Sequence, residues 1–327
     1  MGTDLAADLA AAADLLRTAT DVTLLAHVSP DADALGSALA LGMALHARGA
    51  VVRVSFGFPA EVPRSLRGLD PVGLVVPAAE VPAVPSLLVA LDCASEQRLG
   101  QLVDRVPATT AAGGRVLVVD HHVANTRFGT DHVLDETAPA TVVLVLALLD
   151  ELGAELTPAI ATCLYAGLIG DTGSFRRATP DTHATAGRLI AAGVDPTAVA
   201  RELMDSHPFG WLRMVSSVLA RAQFVPDAVD GQGLVVTVVS LTDLVGLDPE
   251  DADSVVDLVR TVDGAEVAAV AKELTPGRWS VSLRAVGSAD VRAVAASLGG
   301  GGHRLAAGFP AQGSAEDVLV LIKNAFA

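Results

Sequence analysis

Acidic and imidazole side chains recur where apolar runs of the chain end, and their types suit a pair of divalent metal ions. In chain order they are His27, Asp31, Asp33, Asp92, His121 and Asp171. The densest group lies in HVSPDADALGS, directly after the apolar run Val22 to Ala26. Two divalent ions about 3.5–4 Å apart can generate a hydroxide, orient a phosphate and stabilise the leaving oxygen of an in-line displacement. The set therefore indicates hydrolysis of a phosphoester.

Asp31 and Asp33 are separated by one residue. We expect the pair to serve as ligands of two different ions rather than to chelate one. The alternative is a turn and helix cap, because Pro-Asp and Asp-Ala-Asp sequences often begin helices. His27 and the other strand-end groups favour the metal site.

Further polar groups follow two later apolar runs. Asp92 ends LLVALD, and a carboxylate that leaves a buried strand is costly unless it is paired or bound to a metal. A structural ion pair is the alternative for Asp92. In VLVVDHH, Asp120, His121 and His122 leave a strand together and diverge in direction, so we expect one histidine to reach the metals and the other to meet the substrate.

The donor types indicate which metal the site would take. Carboxylates combined with two imidazoles suit manganese, with magnesium, cobalt or zinc as substitutes. A thiolate-rich zinc site is excluded because the chain has only 2 cysteines, Cys93 and Cys163. We expect both to be unpaired buried thiols in a cytoplasmic protein.

Near the C-terminus, the glycine run Gly299 to Gly302 precedes His303 and Arg304. Glycine allows the backbone to approach a ligand closely, and the two side chains can donate hydrogen bonds to an anion. The alternatives are a flexible loop and a surface histidine. Arg284, at the end of WSVSLR, is a second candidate for anion binding, with a surface salt bridge as its alternative.

The elements that position these residues follow from the apolar pattern. From residue 1 to about 190, short strand-like runs alternate with alanine- and leucine-rich helical segments; the runs are Val22–Ala26, Val51–Phe56, Leu87–Leu91 and Arg115–Val119. This alternation predicts an α/β fold with a mainly parallel sheet, helices on both faces and a site at the carboxyl ends of the strands. Helices are predicted from Pro139 to Leu152 with Thr137 as cap, from Thr157-Pro158 to Gly170 with Asp171 at its exit, and from Asp181 to Ala192.

The length of 327 residues favours two domains. We predict a first domain at 1–190, a helical connector at 191–225 and a smaller α/β domain at 226–327. Its predicted elements are strands Leu234–Ser240, Val267–Glu273 and Trp279–Arg284, and helices Pro249–Thr261, Val291–Leu298 and one after Ser314. With 51% hydrophobic but only 3% aromatic residues, the cores should be aliphatic.

The charge restricts the partners. A formal net charge of −16 argues against binding of long nucleic acid, because affinity for polyanions comes largely from lysine and arginine. Lys272 and Lys323 are the only lysines, so arginine and histidine must supply phosphate contacts. The N-terminus lacks a basic region and no apolar run approaches the roughly 20 residues of a membrane span, so we expect a cytoplasmic protein without a secretory signal or membrane contact. A homodimer is left open.

These motifs resemble those of the DHH superfamily of phosphoesterases. HVSPDADALGS resembles its first motif, LDCAS its second, VVDHHVANTRFG its third and GLIGDTGSFR its fourth. GGGGHRLAAGF resembles the GGGH motif of the C-terminal DHHA-type domain. The similarity covers both domains in the family's order. It implies a DHH catalytic domain, a DHHA-type substrate-binding domain and an active site in the cleft between them.

The resemblance also implies roles for the residues. One ion would take His27, Asp31 and Asp92, and the other would take Asp33, Asp92, His121 and Asp171. Asp92 would then bridge the two ions, and a hydroxide held between the ions would attack phosphorus. Asp120 would support the site, and His122 would contact the scissile phosphate. The residues that would bind a terminal phosphate or nucleotide are Arg284, Gly301, Gly302, His303 and Arg304.

Within the superfamily the chain looks most like the nanoRNase and pAp phosphatase branch, because it is compact and has a single pair of domains. Members degrade RNAs of a few nucleotides, dephosphorylate 3′-phosphoadenosine 5′-phosphate (pAp) and in some cases hydrolyse cyclic di-AMP or pApA. One alternative is a family II inorganic pyrophosphatase, against which the scarcity of lysine weighs. The other is a cyclic-dinucleotide sensor that does not cleave, although the presence of all six ligands argues for turnover.

Overall fold

A computed structural model describes residues 3–327 of the chain. They fall into two compact units, the first ending at Ser206 and the second spanning His207–Ala327. The predicted connector, 191–225, contains this boundary. None of the described helices is both long and apolar enough to span a bilayer.

The first unit is built around a five-stranded sheet with the order β2-β1-β3-β4-β5, in which every neighbouring pair is parallel. Its strands are β1 (Asp21–Ala26), β2 (Val51–Phe56), β3 (Leu87–Leu91), β4 (Arg115–Asp120) and β5 (Asp131–Leu134). Its α-helices are α1 (Thr3–Thr18), α2 (Ala32–Ala47), α3 (Arg105–Ala111), α4 (Thr141–Leu152), α5 (Pro158–Asp171), α6 (Pro180–Ala191) and α7 (Pro196–Met204). Short 3₁₀ segments lie at Arg64–Leu69, Ala78–Glu80 and Glu96–Leu102.

The four predicted strands and the α/β class are confirmed, and β5 is an addition at the sheet edge. β5 has 4 residues and only Val133 is buried, so it gives no apolar run that a sequence pattern could reveal. Both faces of the sheet are covered. Leu24 of β1 packs into the core cluster on one face, and its neighbour Leu25 packs into the cluster on the other. The largest fully buried side chains are leucines, which confirms the aliphatic core.

Helix α2 is buried along nearly its whole length and packs closely on α5. The close approach depends on Gly36, because a Cβ there would lie 2.5 Å from the carbonyl oxygen of Cys163. Cys163 and Cys93 are both buried and free, as predicted. Helix α2 thereby fixes the loop that precedes it, which carries HVSPD.

The predicted start of α4 is wrong. The helix begins at Thr141 rather than Pro139, and Thr137 does not cap it, because its hydroxyl donates to Oδ1 of Asp135 at 2.6 Å. The first amides of α4 donate instead to the carboxylate of Asp33, which lies far away in the chain. In contrast, Thr157 caps α5 as predicted, by accepting a hydrogen bond from the Ile160 amide.

The second unit has a six-stranded sheet with the order β10-β11-β9-β8-β7-β6. Only β7 and β8 pair in parallel. The strands are β6 (Gln223–Val225), β7 (Leu234–Val239), β8 (Val267–Thr275), β9 (Arg278–Ala285), β10 (Gly301–His303) and β11 (Ala306–Gln312). The α-helices are α8 (Phe209–Ala220), the single turn α9 (Ala228–Gly231), α10 (Val255–Val259), α11 (Val291–Ser297) and α12 (Ala315–Ala325).

Two predictions for this unit are corrected. The continuous helix Pro249–Thr261 is instead a 3₁₀ segment, Pro249–Ala252, followed by the separate short helix α10. The glycine run is not only a loop, because Gly301–His303 pair with β11. The glycines permit that pairing at close range, since a Cβ at Gly300 would lie 2.0 Å from the Gly308 carbonyl oxygen.

Candidate metal centre and active site

The predicted metal ligands lie at the carboxyl edge of the first sheet and on two helix ends. His27 follows β1, Asp92 follows β3, and His121 follows β4. Asp31 is the N-cap of α2, and its Oδ1 accepts from the amides of Asp33 and Ala34 at 3.0 Å. Asp33 lies in the first turn of α2, and Asp171 is the last residue of α5. The parallel sheet thus brings distant parts of the chain to one edge.

The first ligand group consists of His27, Asp31 and Asp92, with one ligand atom of each within 4.8 Å of the others. Nε2 of His27 lies 3.8 Å from Oδ2 of Asp31 and 3.4 Å from Oδ2 of Asp92. Nδ1 of His27 lies 2.9 Å from the carbonyl oxygen of Val28. That contact places the proton of a neutral imidazole on Nδ1 and directs the Nε2 lone pair toward the carboxylates, as in metal-binding histidines.

The second group consists of Asp33, His121 and Asp171. Nε2 of His121 lies 3.9 Å from Oδ2 of Asp33 and 3.1 Å from Oδ2 of Asp171. Its Nδ1 lies 3.0 Å from the carbonyl oxygen of Ala138, so this imidazole is oriented in the same manner as His27. Asp31, the N-cap of α2, and Asp33, in the first turn of that helix, thus belong to different groups.

Asp92 lies between the two groups. Its Oδ2 is the atom near His27, while its Oδ1 lies 3.6 Å from Nε2 of His121 and accepts from the Thr141 hydroxyl at 2.8 Å. The residue has φ of 58°, a left-handed conformation that is unfavourable for a non-glycine residue. Such strain persists where the surrounding structure enforces it and is concentrated at functional sites.

Asp33 is held by the N-terminus of α4. The amide of Thr141 donates to Oδ2 at 2.7 Å, and the amide of Val142 donates to Oδ1 at 2.9 Å. Helix N-termini favour negative charge, so these contacts stabilise the ionised carboxylate. Thr141 and the Ala138 carbonyl were not predicted from the sequence, because neither carries a recognisable ligand or catalytic pattern.

The pKa values describe a centre with an excess of buried negative charge. Burial raises the pKa of Asp33 well above its usual value, and the carboxylates of Asp92 and Asp171 raise it further. Burial lowers the pKa of His27 and of His121, but the surrounding carboxylates outweigh it and raise both to about 10. Divalent cations would relieve this excess. Carboxylate oxygens and imidazole nitrogens are suitable ligands for divalent cations. The buried thiol of Cys93 is not part of this set, because it donates to the Leu91 carbonyl.

Asp120 is fully buried behind the ligands and accepts from three donors. They are Nδ1 of His122 at 2.7 Å, Nδ2 of Asn125 at 2.6 Å and the His121 amide at 2.9 Å. Asp120, His122 and Asp92 could themselves form a ligand group. However, the three donors already use the Asp120 carboxylate, which suits orientation of His122. Asn125 was missed from the sequence, because an asparagine in a loop carries no distinctive pattern.

His122 is held by Asp120, which also raises the pKa of its imidazole. Burial lowers its pKa, but the hydrogen bond to Asp120 and the charge of Asp92 outweigh this and raise the pKa above the usual value. With Nδ1 directed at Asp120, the other ring nitrogen can serve a reacting group. His122 also lies near a candidate ligand, because its Nδ1 is 3.5 Å from Oδ1 of Asp92. The assignment of His121 to the metals and of His122 to the substrate stays a prediction.

The second unit carries the other predicted residues. Ala306 of β11 pairs with His303 on one side and with Arg284 on the other, so these residues occupy one rank of the sheet. Nη1 of Arg304 donates to the Ser288 carbonyl at 2.9 Å, and Nη2 donates to the Gly287 carbonyl at 3.3 Å. Arg304 therefore restrains a neighbouring loop, which weakens its candidacy for anion binding. Gly301 and Gly302 form the β10 backbone beside Gly308 and Ala307.

Comparisons with known proteins agree with the fold and identify the family. Residues 21–168 match the DHH family, N-terminal domain, and residues 231–327 match the DHHA1 domain. The chain therefore belongs to the DHH family, which confirms the resemblance predicted from its motifs.

The chain is similar to individual known proteins in sequence and in fold. The chain is 37% identical to the bifunctional oligoribonuclease and PAP phosphatase NrnA of Thermus thermophilus, over 88% of this chain and 83% of the relative. It is 26% identical to the cyclic-di-AMP phosphodiesterase GdpP of Geobacillus thermodenitrificans, over 89% of this chain but 44% of that relative. In fold it is similar to an exopolyphosphatase-related protein from Bacteroides fragilis, with a TM-score of 0.86 at 21% identity and coverage of 98% and 95% of the two chains.

Proposed function

We propose that this protein is a metal-dependent phosphoesterase that hydrolyses short oligoribonucleotides such as pApA, together with pAp, and that cyclic di-AMP is a further candidate substrate. The observation that carries the proposal is the position of Asp92, whose two oxygens face two separate groups of ligands. The substrate class is supported by the relative at 37% identity, which is named an oligoribonuclease and PAP phosphatase.

The two ligand groups would each hold one divalent ion, with Asp92 shared. The mixture of carboxylate and imidazole donors favours manganese, and magnesium, cobalt and zinc are the substitutes. When bound, the ions supply Lewis-acid activation of water and neutralisation of phosphate charge. The donors to one ion would be His27, Asp31 and Asp92, and those to the other would be Asp33, His121 and Asp171 together with Asp92.

The chain's own residues would orient the substrate and move a proton. His122, held at Nδ1 by Asp120, would donate from its other ring nitrogen to a phosphate oxygen or to the leaving oxygen. Thr141 and the Val142 amide keep Asp33 and Asp92 in place, so the ligands need little rearrangement. We assign His303 and Arg284 to the substrate's terminal phosphate or nucleotide.

Short substrates suit the charge of the protein. A net charge of −16, with only 22 lysine and arginine residues in total, argues against an extended basic track. Affinity must come from the metal centre and a few local donors, which can reach one or two nucleotides. Each further nucleotide adds negative charge without a compensating contact.

The test is a side-by-side assay of pAp, pApA, cyclic di-AMP, short RNA and pyrophosphate with the manganese-loaded protein, and again after chelation. We expect manganese-dependent release of AMP from pApA, or of phosphate from pAp, with Asp33→Asn as a matched variant of impaired activity. Fastest turnover of pyrophosphate would favour the pyrophosphatase alternative. Tight binding of cyclic di-AMP without any turnover would favour a sensor.

A further inference from the structure

Three loops of the first unit are joined beside the metal ligands. They follow β1, β2 and β3, and two backbone hydrogen bonds connect them. The amide of Val28 donates to the carbonyl of Arg98 at 2.8 Å, and the amide of Ser29 donates to the carbonyl of Phe58 at 2.6 Å. Val28 and Ser29 are the residues immediately after His27. Phe58 and Arg98 are therefore each one hydrogen bond from the loop that carries the first ligands.

Two glycines hold the loops in close contact. A Cβ at Gly57 would lie 2.3 Å from the carbonyl oxygen of Leu99, so a side chain is not tolerated there. Gly100 has φ of 58°, and a Cβ there would lie 2.4 Å from Cγ1 of Val28. The side chain of Gln101 adds a hydrogen bond to the Gly57 carbonyl. These contacts fix the backbone from which the Phe58 and Arg98 side chains project.

Both side chains are available to a ligand. Phe58 is 63% exposed, and it is the one exposed aromatic side chain among the described residues of the first unit. Arg98 is exposed, and its guanidinium has no hydrogen bond or ion pair to any residue in the range 5–327. An arginine without a partner near a cluster of carboxylates in so acidic a chain suits an anionic ligand.

We propose that Phe58 and Arg98 form a nucleotide subsite beside the metal centre, in which Phe58 stacks on a nucleobase and Arg98 contacts a phosphate that is not cleaved. Aromatic stacking accepts any base, and a guanidinium pairs with phosphate oxygens in a fixed geometry. Ser29 is two residues from both His27 and Asp31, a span of at most about 7 Å in extended chain, so the subsite is within reach of a dinucleotide held at the metals. This inference rests on the proposed function and adds that the site selects nucleotides over phosphates without a base.

The test compares the manganese-loaded full-length protein with Phe58→Ala, Phe58→Trp and Arg98→Gln. The substrates are pApA and two analogues in which one or the other base is absent. The controls are Phe209→Ala, which removes a phenylalanine on α8 that is 76% exposed, and Arg278→Gln, which removes an exposed arginine at the start of β9. Metal stoichiometry of each variant verifies that the first unit is folded.

We expect Phe58→Ala to raise KM for pApA about 5- to 100-fold, with Phe58→Trp near wild type, because one base loses its stacking partner. For the analogue that lacks the base stacked on Phe58, the wild type and Phe58→Ala should have the same KM, because the stacking contact is absent from both. Arg98→Gln should raise KM for pApA about tenfold, as for a lost charge-assisted hydrogen bond. Both controls should match wild type.

Two results would overturn the subsite. The first is that the wild-type protein turns over pApA and Phe58→Ala has the same KM for pApA as the wild type. The second is an equal effect of Phe58→Ala on pApA and on both abasic analogues. In either case the proposed function stands, because the metal-dependent turnover is intact. Absence of turnover by the wild-type protein on all three substrates would instead overturn the proposed function, and the subsite with it.

Discussion

Gly167→Ala should damage both the fold and the metal centre, because Gly167 is the point where α5 contacts the residues that hold Asp33. A Cβ at Gly167 would lie 2.6 Å from Cγ1 of Val142 and 2.9 Å from Cα and Oδ1 of Asp33. The amide of Val142 is one of the two donors to the Asp33 carboxylate. The added methyl group therefore pushes on a metal ligand and on its support together.

Two opposing terms set the magnitude. Replacement of a helical glycine by alanine is favourable by up to about 1 kcal/mol, because the unfolded chain loses conformational freedom. Overpacking of a tight interior contact costs about 1–3 kcal/mol, and here the backbone of Asp33 cannot move as a side chain can. Gly187 in α6 is the matched control, because it is exposed and a Cβ there would have no atom within 4 Å. Gly187→Ala should therefore gain stability from the reduced conformational freedom of the unfolded chain, without a cost from overpacking.

Urea denaturation with and without manganese, together with a manganese titration, measures both effects. The free energy of unfolding of Gly167→Ala should fall below that of Gly187→Ala by about 1–3 kcal/mol. Its manganese affinity should fall about 10- to 100-fold, as when a contact that orients a ligand is lost. A Gly167→Ala protein that matched Gly187→Ala in stability and the wild type in manganese affinity would refute the idea that this contact constrains Asp33.

Four further predictions follow from the site and the charge of the chain. Asp92→Ala should abolish turnover and lower the metal stoichiometry measured by elemental analysis, and two tightly bound ions in that variant would contradict a shared ligand. His122→Ala should keep its metals but lose about two to four orders of magnitude in kcat. Asp120→Asn should lower the pKa of His122, because Asp120 raises that pKa, and should therefore shift the alkaline limit of activity to lower pH. Catalytic efficiency at moderate salt should be higher on a two-nucleotide RNA than on a 24-nucleotide RNA, and equal values would reveal a nucleic-acid track.

The candidate ligands could be selected from the sequence because they lie at strand ends or helix ends. His27, Asp92 and His121 directly follow strands, Asp31 and Asp33 lie at the start of α2, and Asp171 ends α5. A parallel sheet brings all its carboxyl ends to one edge, so a strand-end residue such as Asp92 needs no knowledge of distant contacts. The supports of the ligands could not be predicted in this way. Thr141 reaches Asp92 across 49 residues and Asp33 across 108, and these contacts exist only once α4 has packed on the sheet. The same packing explains the error at the start of α4.

The second unit shows a different limit. Its strands β7 and β8 carry mainly apolar runs, β9 alternates apolar with polar residues, and all three were predicted. In contrast, β10 and β11 contain glycine, alanine and a proline. Their pairing depends on the absence of side chains, since a Cβ at Gly302 would lie 2.6 Å from Cα of Ala307. A pattern of hydrophobicity does not report such close backbone contact. The rank formed by His303 and Arg284 therefore became visible only from the strand register.

The charge of the metal centre predicts how the metal-free protein responds to pH. Four carboxylates, those of Asp31, Asp33, Asp92 and Asp171, would be balanced by two divalent ions when the imidazoles are neutral. Without metal, protonated His27 and His121 supply part of that balance, because their pKa values are raised to about 10.

A histidine whose pKa is raised in the folded protein stabilises the fold fully at pH values below its pKa in the unfolded chain, which is about 6.5. This stabilisation is lost as the pH rises through the folded pKa of about 10. The pKa of Asp33 is raised as well, so its ionisation acts in the same direction. The chelated protein should therefore be folded at neutral pH and lose thermal stability between about pH 7 and 10. Manganese should protect increasingly over that interval, because binding displaces the imidazole protons and tightens as they become easier to remove. Thermal melts of chelated and manganese-loaded protein across this range measure the difference, and a gap that narrows with rising pH would show that the imidazoles do not exchange protons for metal.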